Sequence, residues 1–394
     1  MRCFGSRRPR GLGRADKPRV KKTAAPRLVG LDLGSTGIRA VEAKRGRDGW
    51  RIMKAAEIDL PEGAIHGGVI ADSAAVSKAL RRLWRSGRFS TRKVAAAMSD
   101  AGVITRQVDL PWMPAEDFRS ALRYQVVDSL PVDLSTVELD YQPLAEFSGP
   151  DGHGHVTDML QVLLVATPTE VVTDLCETLL AARLEPVRAD TSAFALIRTA
   201  SGGRVPSTDE CTALVDIGAD VLSVIVHQGG RPLFIRSIPG QGGDLATLTV
   251  SSAMGMEFDE ARALVITTGL NGPPPVITPV AESNVFGLLA GTGDATIDLT
   301  TSRAMALINP WATTLVGSIR DSLDYFHAAG GTHVGKLVLT GRTAGLNGLS
   351  ERIATELRIP VTFLDPFAGL DRARRVGDVD SRPYAVATGL AMGA

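Results

Sequence analysis

The sequence predicts two α/β domains that are built on one repeated pattern and face each other across a cleft. Residues 28–61 and 213–240 are in register: each has an apolar run ending in Asp-(Leu/Ile)-Gly, then a second apolar run, a glycine-containing turn and a third apolar run. The turns at residues 46–49 and 228–230 are typical of antiparallel hairpins. Helices and further apolar strands follow each meander, and this order predicts helices packed on a mixed sheet. The length of 394 residues also suggests two or three domains.

In the first half, helices and strands alternate after the meander. Asp72 is suited to cap a helix whose apolar residues recur at helical spacing. Residues 93–98 and 161–166 are short apolar runs, and we assign both as strands of the first domain's sheet. A helix start follows at residues 167–170, where a threonine cap is followed by proline and then glutamate.

The second half repeats this order. A long helix is predicted around Trp311 and Leu323, followed by a strand at 336–340. Another helix then leads to a strand at 360–364. Each half also contains inserted sequence, and the first insertion carries a predicted helix at 116–130 between two prolines.

These patterns predict a chain of five regions. They are a disordered basic arm, 1–27; a first domain, 28–102 plus 159–210 plus 381–394; a subdomain inserted into it, 103–158; a second domain, 211–240 plus 301–380; and an insertion in the second domain, 241–300, rich in Gly, Pro and Thr.

The composition limits the classes of partner. Net charge is zero, which argues against a nucleic-acid-binding protein held by bulk electrostatics. Residues 1–27 nevertheless carry ten Lys or Arg against the single acid Asp16, and we interpret them as a solvated tail. The alternative is weak attraction of this arm to anionic lipid headgroups. No apolar run is long enough to span a bilayer, so we expect a cytoplasmic protein.

The two Asp-containing turns are the strongest functional signal. Turns with glycine let the backbone approach a phosphate closely, and Gly34, Ser35 and Thr36 add main-chain and hydroxyl donors. The second turn supplies the corresponding Gly218, Ala219 and Asp220. Asp32 and Asp216, at the ends of the two first strands, are suited to hold Mg²⁺ through water. We therefore predict that the two turns bind a polyphosphate and its metal between the domains.

A third motif predicts a nucleoside site. Residues 337–349 read as a strand, a glycine and a helix start, with Gly341, Arg342 and Thr343 at the junction. The free N–H groups and small residues of such a junction leave room for a base and ribose.

These three motifs in this order resemble the actin-like ATPase superfamily. The insertion narrows the resemblance, because residues 108–144 and 162–200 look like the PilM family of type IV pilus assembly proteins. The resemblance covers nearly all residues from 28 onward. It implies two ribonuclease-H-like domains facing across a nucleotide cleft, with an FtsA/PilM-type subdomain inserted in the first.

The resemblance also implies ligands and partners. It implies ATP with Mg²⁺ as the cofactor, and a groove beside the inserted subdomain that docks the cytoplasmic N-terminal peptide of a PilN-like inner-membrane protein. The protein would then be peripheral to the inner membrane and would work with other pilus assembly proteins. Trp112 and Met113, flanked by prolines, are candidate surface residues for the peptide, whereas Phe118 and Leu122 are predicted to be core.

Four positions depart from the family pattern. Arg342 replaces a small residue in the adenosine motif, and Arg262 and Val265 stand where similar proteins carry Glu and Lys over the ribose. Arg39 replaces the lysine after the first turn but keeps its charge. The pattern thus predicts intact phosphate binding and altered adenosine contacts.

Two alternative functions remain open on the sequence. An active ATPase or small-molecule kinase would use Asp32 and Asp216 to position metal and water, but no base beside a substrate pocket is recognisable, so at most slow hydrolysis is expected. An FtsA-like division protein would need an amphipathic C-terminal membrane helix, and the ending RPYAVATGLAMGA does not fit one. His153 and His155 lie in a glycine-rich loop that we do not read as a metal site.

Overall fold

The computed structural model describes residues 27–46, 49–98, 102–150, 155–203, 210–272, 299–374, 376–377 and 379–393. The predicted disordered arm up to residue 26, His153 and the Gly/Pro-rich stretch from Pro273 lie outside the described residues. In chain order the strands and helices are β1 (Arg27–Gly34), β2 (Gly37–Arg45), β3 (Trp50–Asp59), β4 (Ile65–His66), β5 (Val69–Ile70), α1 (Ser73–Gly87), β6 (Lys93–Met98), β7 (Ile104–Pro111), α2 (Ala115–Gln125), β8 (Val137–Pro150), β9 (Val156–Pro168), α3 (Thr169–Ala181), β10 (Glu185–Thr191), α4 (Ser192–Ala200), β11 (Cys211–Ile217), β12 (Val221–Gln228), β13 (Arg231–Pro239), α5 (Gly243–Met254), α6 (Phe258–Thr268), α7 (Leu299–Ala328), β14 (Lys336–Thr340), α8 (Leu349–Leu357), β15 (Val361–Phe363), β16 (Asp371–Arg372) and α9 (Ala385–Ala391).

The first domain is a mixed sheet covered by α1 and α3. Its strand order is β10-β6-β1-β2-β3-β16, with β1 antiparallel to β2 and parallel to β6. Helix α1 forms where predicted, and the Asp72 carboxylate accepts from the Ala75 N–H at 2.9 Å. Its buried side chains pack on the sheet beside those of α3, which begins after Pro168.

The second domain repeats this arrangement. Its strand order is β13-β12-β11-β14-β15, again with an antiparallel meander and with β14 parallel to β11. The 30-residue α7 and helices α5, α6 and α8 enclose the core. Ala246, Val250 and Ala261, from the sequence predicted as an insertion, are fully buried in that core. The prediction of two duplicated α/β domains is confirmed.

The inserted subdomain is a three-stranded antiparallel sheet, β7-β9-β8, covered by α2. The prediction that residues 161–166 form a strand of the first domain's sheet is wrong, because they lie in β9 at the centre of this subdomain. Glu185–Thr191 is the strand that pairs with β6 instead. A fully apolar run fits either sheet, so its length and composition do not identify its partner. Helix α2 ends at Gln125, before the predicted Leu130, and Phe118 is buried in the subdomain core as predicted.

The two domains share a hydrophobic core beneath the cleft. It joins Leu28 and Leu196 of the first domain to Leu214 and Leu364 of the second and to Val386 of α9. A side chain at Gly30 would lie 2.0 Å from the Ala387 carbonyl oxygen, so the glycine allows α9 to contact β1 closely. This core keeps the ends of β1 and β11 side by side.

Among the described residues, the structure has no helix with the length and apolar character that crossing a bilayer requires. Helix α9 is buried throughout and belongs to the core.

Candidate functional site: two aspartates in the interdomain cleft

Asp32 and Asp216 line the same cleft between the domains. Each lies near the end of the first strand of its meander, because β1 and β11 occupy equivalent positions in the two sheets. Arg39 is the cross-strand partner of Asp32, and its Nη1 lies 3.9 Å from the Asp32 carboxylate. Ser223 is the corresponding cross-strand partner of Asp216, and Thr340, at the end of β14, is the neighbour of Asp216 on its other side. The duplicated pattern therefore brings both predicted carboxylates to one place.

Burial disfavours the charged form of both carboxylates. Burial raises the pKa of Asp216 to about 7, and the negative charge of Asp32 adds to this effect. Burial also raises the pKa of Asp32, although the positive charge of Arg39 opposes the shift. Two adjacent carboxylates in this state favour a cation between them.

The first turn places its predicted residues around Arg39. Gly34, Ser35 and Thr36 line the cleft with Arg39, whose Nη2 lies 3.5 Å from the Thr36 hydroxyl. A side chain at Gly34 would lie 2.8 Å from Arg39 Nη1. Arg39 is buried; its Nε forms no hydrogen bond among the described residues, but it lies 3.7 Å from the Glu57 carboxylate. A buried guanidinium beside the turn, whose Nε forms no hydrogen bond, suits an anionic ligand.

The second turn is held in place by the start of α5. The N–H groups of Gly243 and Asp244 donate to the carbonyl oxygens of Gly218 and Ala219, at 3.0 and 2.7 Å. The Gly218 N–H donates within the turn, to the Val221 carbonyl. Gly218 is therefore positioned in the cleft with its own N–H already engaged.

Asp220 makes a bond across the cleft. Its carboxylate accepts from the Gly67 N–H at 2.6 Å and lies 3.8 Å from His66, and both of these residues belong to the short β4–β5 hairpin of the first domain. This carboxylate thus connects the two domains, a contact that the sequence pattern did not indicate because its partner is 153 positions away.

The third motif lies against the same cleft. Gly341 has a φ of +90°, and a Cβ there would lie 2.5 Å from Asp216 Oδ1, so only glycine fits. Arg342 crosses the cleft to Glu57 of the first domain, with Nη2 and Oε2 2.8 Å apart. The Thr343 hydroxyl donates to the Gly218 carbonyl at 3.0 Å and so joins the third motif to the second turn.

A cavity of about 270 Å³ adjoins the third motif. It is lined by Arg342 and Thr343 together with residues that the motifs did not single out, among them Thr247 and Arg382. Arg262 and Val265 also line it: Arg262 lies 3.8 Å from Asp244, and Val265 is almost fully buried. Thr340 is another residue that was missed: its buried hydroxyl has no partner among the described residues, and it lines the main cleft.

The donor set fits Mg²⁺ held jointly by protein and ligand. No group of three or more His, Cys, Asp or Glu that could hold a metal occurs among the described residues. Mg²⁺ is commonly bound by one or two carboxylates, with phosphate oxygens and water completing its shell. Asp32 and Asp216 can supply such carboxylates, and Arg39 and the glycine turns can contact the phosphates.

Comparison with known proteins identifies the family. The model of the family described as type IV pilus assembly protein PilM matches residues 30–274 and 289–394. Among solved structures, a PilM–PilN type IV pilus biogenesis complex is similar, with a TM-score of 0.76 and 23% identity over 93% of this chain and 98% of that one.

More distant structures share the fold. The ethanolamine utilization protein EutJ from Carboxydothermus hydrogenoformans has a TM-score of 0.53 at 14% identity, covering 95% of this chain and 94% of its own. MreB 5 of Spiroplasma citri bound to AMPPNP has a TM-score of 0.52 at 11% identity, covering 93% and 95%. At these identities the likeness shows the actin-like fold. The family match covers most of the chain, and it shows that this chain belongs to the PilM family of type IV pilus assembly proteins.

Proposed function

We propose that this pilus assembly protein binds ATP with Mg²⁺ between its two domains and docks the cytoplasmic N-terminal peptide of a PilN-like inner-membrane protein. In this proposal Asp32 and Asp216 hold the metal, the two glycine turns and Arg39 bind the phosphates, and the third motif with its adjoining cavity takes the nucleoside. The single observation that carries the nucleotide half is the pair of carboxylates with raised pKa that line one cleft with the buried Arg39 guanidinium.

The neighbours support this proposal. One structure of the same fold is described with AMPPNP, and the similar PilM structure is described in complex with PilN. The bound ATP contributes a negatively charged triphosphate and its metal. The protein's own residues bind and orient it, and the domains close on it because each supplies half of the contacts.

The nucleotide half is tested by calorimetry with ATP, with Mg²⁺ or with EDTA. We expect binding that requires Mg²⁺ and that Asp216→Ala abolishes, while Asp324→Ala, an exposed position on α7, leaves it unchanged. Equal affinity of the Asp216→Ala and native proteins would refute the metal-site assignment.

The peptide half rests on the surface of the inserted subdomain. Trp112, Tyr124 and Val127 are large apolar side chains with 46%, 84% and 57% exposure there. Met113, by contrast, is partly buried against the subdomain core. Exposed aromatic side chains of this kind are typical of peptide-docking surfaces.

The test replaces these side chains and measures binding of a labelled peptide from the cytoplasmic N-terminus of the PilN-like protein. Trp112→Ala with Tyr124→Ala should weaken binding at least about tenfold. Tyr325→Ala, 65% exposed on α7 of the second domain, is the matched control. Unchanged affinity in the double variant would place the peptide elsewhere.

A further inference from the structure

A strongly basic surface lies at the end of the first domain opposite the cleft. Arg81, Arg85, Arg92 and Arg183 line a shallow cavity of about 730 Å³ that also contains Trp84. It is formed by α1, the segment before β6 and the turn between α3 and β10. Because β1, β6 and β10 run parallel and Asp32 lies near the carboxyl end of β1, this surface is at the opposite end of the sheet. We call it, together with the neighbouring Arg88, the arginine face.

The charges of this face are not compensated. Arg81 donates to the Ala181 carbonyl and Arg92 to the Arg183 carbonyl, each at 2.9 Å, so both bind backbone oxygens. Within the described part of the chain, none of the five arginines forms an ion pair with a carboxylate. The nearby Glu42 is buried and is paired with Arg27 and Lys54 instead. The face therefore presents a net positive charge to solvent.

Two of these arginines occupy backbone positions that favour glycine. Arg88 and Arg183 have φ of +49° and +63° at the ends of α1 and α3, and the third such residue in the described chain is Arg358 at the end of α8. Glycine or asparagine is the usual residue in this left-handed conformation after a helix. The chain thus carries guanidinium groups on this face where a smaller residue would relax the backbone.

An exposed apolar side chain and Arg27 add to the face. Leu180 is 58% exposed beside Ala181, the residue that Arg81 contacts. Arg27 donates to the Ser90 hydroxyl at 2.9 Å and so adds a further guanidinium group beside the face. A broad basic surface with exposed apolar side chains is typical of proteins that lie on anionic membranes.

We propose that the arginine face binds anionic phospholipid headgroups and holds the first domain on the membrane surface. This function is separate from nucleotide and peptide binding. A bilayer fits better than nucleic acid, since the chain has zero net charge and the face includes exposed Leu180. Each arginine close to an anionic bilayer strengthens binding by about fivefold at moderate salt.

The test is co-sedimentation of the full chain with vesicles, without nucleotide or partner. We expect binding to phosphatidylcholine vesicles containing about 30 mol% phosphatidylglycerol, none to pure phosphatidylcholine, and loss of binding in about 0.5 M salt. Replacing Arg81, Arg85 and Arg92 together with Gln should weaken binding at least about tenfold. The triple variant and the native sequence are also compared in a chain that lacks residues 1–26, so that vesicle binding by the arginine face is measured without the basic arm. We expect the three substitutions to weaken vesicle binding by the same factor in that chain.

A second variant distinguishes loss of charge from loss of folding. Arg88→Gly with Arg183→Gly removes two charges while relaxing two left-handed positions, so it should raise the melting temperature and still weaken vesicle binding about tenfold or more. Arg358→Gly makes the same chemical change in the second domain and should raise stability without affecting vesicle binding. Two results would overturn the proposal: vesicle binding unchanged in both face variants, or tighter face-dependent binding to a double-stranded oligonucleotide or polyglutamate than to the anionic vesicles.

Discussion

Asp216, the proposed metal ligand, lowers the free energy of unfolding of the protein without ligand near neutral pH. Burial and the neighbouring Asp32 raise its pKa to about 7, so the folded protein holds a proton that the unfolded chain releases near pH 4. The contribution of this group to stability therefore falls as pH rises from about 4 to about 7, and above pH 7 the penalty is at its largest. A bound cation would remove it.

We therefore expect Asp216→Asn to stabilise the ligand-free protein at pH 7.5 by about 1–4 kcal/mol, with little effect at pH 4. Urea unfolding at the two pH values measures this, with Asp324→Asn as an exposed control. A less stable Asp216→Asn protein at pH 7.5 would contradict this account of the site.

Gly341 is the second residue for which the site dictates one amino acid. Its φ is +90°, and a Cβ added there would lie 2.5 Å from Asp216 Oδ1, so Gly341→Ala should lose at least about 2 kcal/mol of folding stability. Gly317 lies inside α7 with open space where its Cβ would be, so Gly317→Ala should be neutral or stabilising by up to about 1 kcal/mol. Thermal unfolding of both variants makes the comparison, and equal stability would contradict the close approach at Gly341.

At the level of elements, the duplicated meanders could be predicted from the sequence and the partner of β9 could not. The meanders carry local signals: Asp-x-Gly turns, hairpin glycines and apolar runs of matching length. Residues 162–166 are apolar and buried on both faces of β9, and no local signal states which sheet this strand joins. The same limit applies to Asp220 and Thr343, because their partners Gly67 and Gly218 are distant in sequence.

Strand β12 contains a histidine whose effect on the pH dependence of stability is opposite to that of Asp216. His227 is buried, both of its ring nitrogens lack partners among the described residues, and burial with the nearby Lys336 lowers its pKa to about 4. Below about pH 6.5 the unfolded chain gains a proton that the folded protein rejects, so stability falls as pH drops from about 6.5 to about 4.

The expected loss attributable to His227 is at most about 3 kcal/mol over this window. Urea unfolding at pH 7.5 and pH 4.5 gives the change in the free energy of unfolding on acidification for the native protein and for His227→Leu. The difference between these two changes measures the contribution of His227. The variant should lose less stability on acidification, and an identical pH profile for the two proteins would contradict the burial effect.

At the scale of the whole molecule, two polar contacts connect the first domain to the second across the cleft. Asp220 of the second domain accepts from Gly67 of the first, and Arg342 of the second pairs with Glu57 of the first. Both contacts lie beside the proposed nucleotide site. A closed ligand-free cleft therefore depends in part on these two contacts.

Removing both contacts with Asp220→Ala and Glu57→Ala should open the cleft more often. Hydrogen exchange in the segment 63–70, which includes the Gly67 amide, should become about tenfold faster or more. Glu356→Ala removes ion pairs with Arg320 and Arg352 inside the second domain and should leave that segment unchanged. Native exchange rates in the double variant would show that the contacts do not hold the cleft.

The central claim is that a metal-bound nucleotide lies between Asp32 and Asp216. Its most direct test is a crystal structure of the protein grown with ATP and Mn²⁺ in place of Mg²⁺, with the metal located by anomalous scattering. We predict a single anomalous peak between the two carboxylates, with the phosphates against the turns at Gly34 and Gly218. A nucleotide bound elsewhere, or a metal away from both aspartates, would contradict the account.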